Sequence, residues 1–132
     1  MTPNTQLTIL LVGNDSALSY LLRRFAERSG YFLTDISEEV SVKEIESINP
    51  MVIIFTSIEL LATKQKLIME LASLDAPIMV CASVAEEAKA RELGADYCLL
   101  HPLTYDDFHS TLSNANSSKR AVSGLVTKSS SF

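Results

Sequence analysis

Five times along this chain a short apolar run gives way to a stretch in which apolar side chains recur every three or four positions. The runs are "LTILLV" (7–12), "YFLTDI" (31–36, the weakest), "MVIIF" (51–55), "PIMVCA" (77–82) and "DYCLL" (96–100). Runs this short are strands rather than helices, and a strand apolar on both sides needs cover on both. The helical stripes between the runs supply that cover. The chain therefore reads as βα units in series around a parallel sheet.

The stops between the units are equally legible. Leu18, Leu21, Leu22 and Phe25 share one face of the first helix, which Asp15 or Ser16 can cap and Gly30 closes. Ser41 and Glu44 have capping-box spacing, with Ile45 and Ile48 inward until Pro50 ends the second helix. Leu60, Leu61, Leu67, Ile68, Leu71 and Leu74 predict one long third helix. Ser83 and Glu86 repeat the box ahead of a helix over 84–93, stopped by Gly94. Thr104 caps a short last helix with Phe108 and Leu112 inward. Residues 1–6 are an N-terminal extension and 7–112 one domain. From Ser113 the composition turns to Ser, Asn and Thr with scattered Lys119, Arg120 and Lys128, so 113–132 reads as a flexible Ser-rich tail.

At 132 residues the chain can bury a core without metals or disulfides, and 47% hydrophobic residues do not fit disorder. Sixteen acidic against 11 basic residues give a net charge of −5, so nucleic acid is not an expected partner. Cys81 and Cys98 lie in strand-like runs without a CxxC partner and read as reduced core thiols. The first apolar run is too short for a signal sequence or a membrane span, which points to the cytoplasm and to no membrane partner.

A single-domain parallel sheet of five strands with helices on both faces is the flavodoxin-like (βα)5 arrangement, doubly wound, with strand order 2-1-3-4-5. Its ligands sit outside the carboxyl ends of the strands, at the switch between the first and third. That rule lines the crevice with Gly13, Asn14 and Asp15 after strand one and Thr56 and Ser57 after strand three. Ala82, Ser83 and His101 flank it from strands four and five.

On these residues the span from Leu7 to about Leu112 resembles a response regulator receiver domain (CheY-like). In that family the first strand ends in an acidic pair that binds Mg²⁺, and the third ends in the phospho-acceptor aspartate. The fourth ends in a sensing Thr or Ser, and the fifth in Lys-Pro. Here "LLVGND" puts Gly13 and Asn14 at the acidic pair, and "NPMVIIFTS" puts Thr56 at the acceptor. "PIMVCAS" puts Ala82 at the sensing hydroxyl, and "GADYCLLHPL" puts His101 at the lysine, with Pro102 retained. The resemblance implies a degenerate pocket, a pseudo-receiver. Shifting strand one by a residue would instead make Asn14 and Asp15 the pair and restore one ligand.

The chemistry agrees with the degenerate reading. Mg²⁺ prefers carboxylate oxygens, an acyl phosphate needs a carboxylate acceptor, and phosphoryl transfer needs its charge balanced. Asp15 is the one carboxylate at these positions, and Thr56 has no evident base beside it. Asp15, Ser16, Ser57, Ser83 and Thr104 all stand where helix caps belong. Thr56 reads as a neutral filler bonded to nearby backbone, His101 as a loop residue or a pH sensor, and His109 as part of a solvated helix face.

Three functions compete: a phosphorylation-independent module with a protein partner or self-association, an atypical receiver still phosphorylated in a phosphorelay, and a small-ligand domain. No phosphate-cradling glycine motif supports the third. The expectation is a non-enzyme with no cofactor and no Mg²⁺. By the resemblance, the output face is built from the helix after strand four, strand five and the helix after it. It bears Glu86, Glu87, Lys89, Ala90, Leu100, Leu103 and Tyr105, with Tyr97 or Leu99 near the place of the family's switching aromatic.

Overall fold

A computed structural model describes residues 7–124, with side chains through residue 116. The five expected strands form: β1 (Thr8–Val12), β2 (Phe32–Ile36), β3 (Val52–Phe55), β4 (Ile78–Ala82) and β5 (Tyr97–Leu100). They make one parallel sheet in the order β2-β1-β3-β4-β5, as the alternation predicts. The register runs Thr8↔Phe32 to Val12↔Ile36 on one side of β1 and Ile9↔Val52 to Val12↔Phe55 on the other.

Each strand face has its own layer of helices. Leu10, Val12, Ile53, Phe55, Val80 and Ala82 pack under α2 (Val42–Ile48), α3 (Ile58–Thr63), α4 (Gln65–Leu71) and α5 (Glu87–Glu92). Ile9, Leu11, Leu33, Ile54, Met79, Cys81 and Leu99 pack against α1 (Ser16–Arg28) and α6 (Tyr105–Gly124). Among the described residues no charged or polar side chain is buried, which explains why the strands read as solid apolar runs.

The capping signals place the helix starts. Asp15, not Ser16, caps α1, its carboxylate accepting from the Leu18 N–H at 3.0 Å. Ser41 and Glu44 complete the expected box, and Ser57 accepts from the Leu60 N–H. Thr104 accepts from the Asp107 N–H at 3.1 Å. The motif "GAD" ties α5 to the sheet: Gly94 has φ +108 with the Ile68 side chain against it, and Ala95 is buried. The Asp96 carboxylate accepts from the Ile78 N–H at 2.8 Å, fixing the start of β4.

Three expectations need correction. The long third helix is two helices broken at Lys64, whose N–H bonds both Leu60 and Leu61 carbonyls. The Gln65 side chain donates to the carbonyls of Leu61 and Leu93, so the break is stitched to the end of α5. The helix after β4 opens with a 3-10 turn, Val84–Glu86, before α5 begins. Finally, α6 does not stop near Leu112; it continues to Gly124 with Ala115 buried against the sheet, so the expected tail does not begin at Ser113. Residues 1–6 and 125–132 of the expected extension and tail lie outside the described residues. Among the described residues no helix is long and apolar enough to cross a membrane.

Candidate functional site

The mouth of the crevice is set by the register of β1 against its two neighbours. Val12 pairs with Phe55, and the next residues are joined by the Thr56 N–H to the Val12 carbonyl at 3.2 Å. On the other side the Gly13 N–H donates to the Ile36 carbonyl at 3.1 Å. Gly13 and Thr56 are thereby neighbours at adjacent strand ends. The Asp15 carboxylate, which the shifted alternative would bring to the pair, is engaged in capping α1.

Gly13 sits at φ +129, a conformation that side chains with a Cβ rarely adopt. The place where its Cβ would stand is taken by Thr56 Oγ1, with Thr56 Cγ2 and Leu60 Cδ2 close behind. The Thr56 side chain thus occupies the room next to Gly13. Its contact is with that bare backbone, and among the described residues its hydroxyl makes no hydrogen bond to backbone.

A shallow depression over this pair is lined by Gly13, Asn14, Glu38, Thr56, Ser57, Glu59, Leu60 and Thr63. Glu38 and Glu59 are site residues that the sequence reading missed. The signal was present in "SEE" after strand two, because the strand order 2-1-3 sets that loop beside the loop after strand one. Ala82, Ser83 and His101 do not line the depression. Ala82 is buried under α5. Ser83 is occupied with Glu86, whose carboxylate accepts from the Ser83 N–H at 2.9 Å. His101 is exposed, its N–H bonded to the Ala82 carbonyl at 3.0 Å, and its peptide bond to Pro102 is cis.

Among the described residues no cluster of three His, Cys, Asp or Glu side chains is placed to hold a metal. A second depression, shared between Gly13, Asn14 and α1, is bridged by a polar clasp. Ser19 Oγ donates to both Asp35 oxygens at 2.8 and 2.7 Å, and Arg23 pairs with Asp35 at 2.8 Å and with the Leu33 carbonyl at 2.9 Å. That clasp holds edge strand β2 to α1.

The two thiols face opposite layers. Cys81 packs toward α1 and α6 and Cys98 toward α5, and both are free. Burial pushes the Cys81 thiol up to about 12 and raises Cys98 less, so neither is a ready nucleophile.

The expected output face divides. Lys89 is exposed, while Glu86, Glu87 and Leu100 are half-buried. Ala90 is fully buried beneath α5 and is not a surface residue. Leu103 packs against the α1–α6 core, and Tyr105 turns to α1, its ring edge-on to Phe25 and its hydroxyl accepting from Ser29 Oγ at 3.1 Å. Tyr97 and Leu99 also lie on the α1–α6 layer, whereas Cys98 shares the layer of Ala82. No aromatic therefore stands beside Ala82 on its own side of β5. Val84, 67% exposed in the 3-10 turn, is the apolar residue this surface presents instead.

A five-stranded parallel sheet in this order, covered on both faces and with its crevice at the carboxyl ends of β1 and β3, is the fold of response regulator receiver domains. Among solved structures, a receiver domain protein from Clostridium thermocellum matches with a TM-score of 0.66 at 17% identity, over 88% of this chain and 98% of that one. Chemotaxis protein CheY4 from Vibrio cholerae matches at 0.65 and 15% identity, over 83% and 98% of the two chains. A Burkholderia thailandensis protein assigned to pilus assembly matches at 0.66 and 19% identity, over 85% and 99%. At these identities the likeness is one of fold. No protein-family model matches the chain, and no curated protein matches it in sequence.

Proposed function

We propose that this chain is a pseudo-receiver: a signalling module of receiver fold that acts through protein contacts and takes up no phosphoryl group. One observation carries the reading. Thr56 stands at the end of β3, where its side chain fills the space over a positive-φ Gly13. A threonine hydroxyl cannot form an acyl phosphate, and this packing leaves no room for a carboxylate at position 13. The neighbours agree, since Ala82 offers no hydroxyl and exposed His101 replaces a fixed cation.

The phosphorelay alternative would use a hydroxyl such as Thr56, or Asp15, which caps α1, or one of the carboxylates Glu38 and Glu59; the lining of the depression offers no lysine and, among the described residues, there is no metal cluster to support any of them. Incubation with acetyl phosphate and Mg²⁺ followed by intact-mass spectrometry tests the proposal. An unchanged mass is expected. A stable phosphoryl adduct mapping to Thr56, Glu38 or Glu59 would overturn it.

A further inference from the structure

The chain is acidic overall, yet α1 carries two arginines with no carboxylate partner among the described residues. The ion pairs there are Arg23–Asp35 and Arg91–Glu87, and neither uses Arg24 or Arg28. Both are held by aromatic rings instead. Arg24 lies over the Tyr20 ring, 5.7 Å from its centroid, and donates to the Tyr20 hydroxyl at 3.0 Å. Arg28 lies over the Tyr105 ring at 4.0 Å. Tyr105 is in turn fixed by Phe25 at 5.7 Å, by the stacked His109 at 5.7 Å and by Ser29. Tyr20 is 64% exposed, and a depression lined by Tyr20, Arg24, Phe25, Glu27 and Arg28 runs along the helix.

Stacked on its ring, Arg28 keeps its N–H edges available, while Arg24 commits one N–H to the Tyr20 hydroxyl and keeps the others; both placements reduce the freedom lost on binding. Residues four apart on a helix are about 6 Å apart at Cβ. That matches carboxylates two positions apart on an extended peptide, about 6.6 Å along the strand. We propose that the α1–α6 surface centred on Arg24 and Arg28 docks an acidic peptide segment of a protein partner, each guanidinium taking one carboxylate. This rests on the pseudo-receiver reading and gives its partner a chemistry.

Exposed tyrosine beside arginine is the composition of an interface anchor. Two cations sharing their depression with Glu27 are too few for a phosphate polymer or an anionic bilayer, which call for about four or more. Charge complementarity at short range therefore favours a peptide.

The test is fluorescence anisotropy with the full chain and a short fluorescein-labelled peptide of alternating Glu and Ala. Saturable binding is expected, absent with a Gln-for-Glu peptide and weakened by added salt. Arg24→Gln with Arg28→Gln should weaken it about tenfold or more, while Lys66→Gln leaves it unchanged. Arg24→Glu with Arg28→Glu should transfer binding to a Lys-Ala peptide, a gain that loss of folding could not produce. Absent binding, equal binding by the Arg24→Gln/Arg28→Gln protein, or no transfer on charge reversal would overturn the proposal. So would arginine-dependent sedimentation with phosphatidylserine vesicles in place of peptide binding. Phosphoryl uptake, by contrast, would sink the pseudo-receiver reading and leave peptide binding to be judged by itself.

Discussion

Gly13 and Thr56 behave as one unit, because the side chain of the second occupies the place the first leaves bare. Gly13→Ala should cost about 2–4 kcal/mol, combining positive-φ strain with overpacking. Thr56→Ala in the same chain removes the obstructing atoms, so the double variant should recover about 1 kcal/mol or more relative to additivity, read from urea midpoints. Strict additivity would mean the two do not touch. The buried Cys81 gives a second expectation, in pH. Unfolded, its thiol loses its proton near 9.0, whereas burial holds the native value at about 12. The unfolded state thus binds fewer protons in that window. Stability should be flat below it and fall by about 1.4 kcal/mol per pH unit within it from this group. Cys81→Ala should flatten that decline in denaturation curves from pH 8 to 11; an unchanged slope would assign it to other groups. At this scale the sequence showed that Thr56 is neutral and where it stands. It did not show the conformation of Gly13, nor that Glu38 and Glu59 reach the same depression, because both depend on how loops from different units meet.

Among the elements, the strands and caps were local and therefore legible. Ser41 with Glu44, Ser57 and Thr104 cap where their spacing predicts, since each bond spans about one turn. The break at Lys64 was not legible, because neither Gly nor Pro marks it and the apolar stripe merely pauses between Leu61 and Leu67. What stabilises it is a long-range bond: Gln65 reaches the Leu93 carbonyl at the end of α5 as well as Leu61 in its own segment. Gln65→Ala should leave the Leu93 carbonyl short of a donor, while Leu61 keeps the Lys64 N–H, and cost about 1–2 kcal/mol in chemical denaturation. A neutral result would show that water replaces the amide. Likewise, the polar composition after Ser113 concealed a helix that Ala115 anchors by contact with the sheet. Composition reports mean hydropathy, and a single buried alanine hardly changes it.

At the scale of the whole molecule, two helical layers close the two faces of the sheet, and α6 is the part of its layer that covers Met79, Cys81 and Leu99 together with α1. Phe108, fully buried and packed on Phe25 at 5.7 Å, is the anchor of that closure. Phe108→Ala should cost about 3–5 kcal/mol. Thermal melts should show the whole domain losing stability in one transition, and a separate early transition for α6 alone would contradict that single-core picture. The surface between α1 and α6 exists only through this packing, since Arg28 and Tyr105 come together from distant parts of the chain. The sequence by itself determined the number of strands, their parallel order and the capped helix starts at Ser41, Ser57 and Thr104. These follow from apolar period, local capping bonds and residue identity. Only the tertiary structure decided that Ala90 is buried, that Tyr105 belongs to α1, that α3 and α4 are separate and that Thr56 rests on Gly13. Each depends on which side chains from separate βα units share one space, and periodicity along the chain carries no record of that.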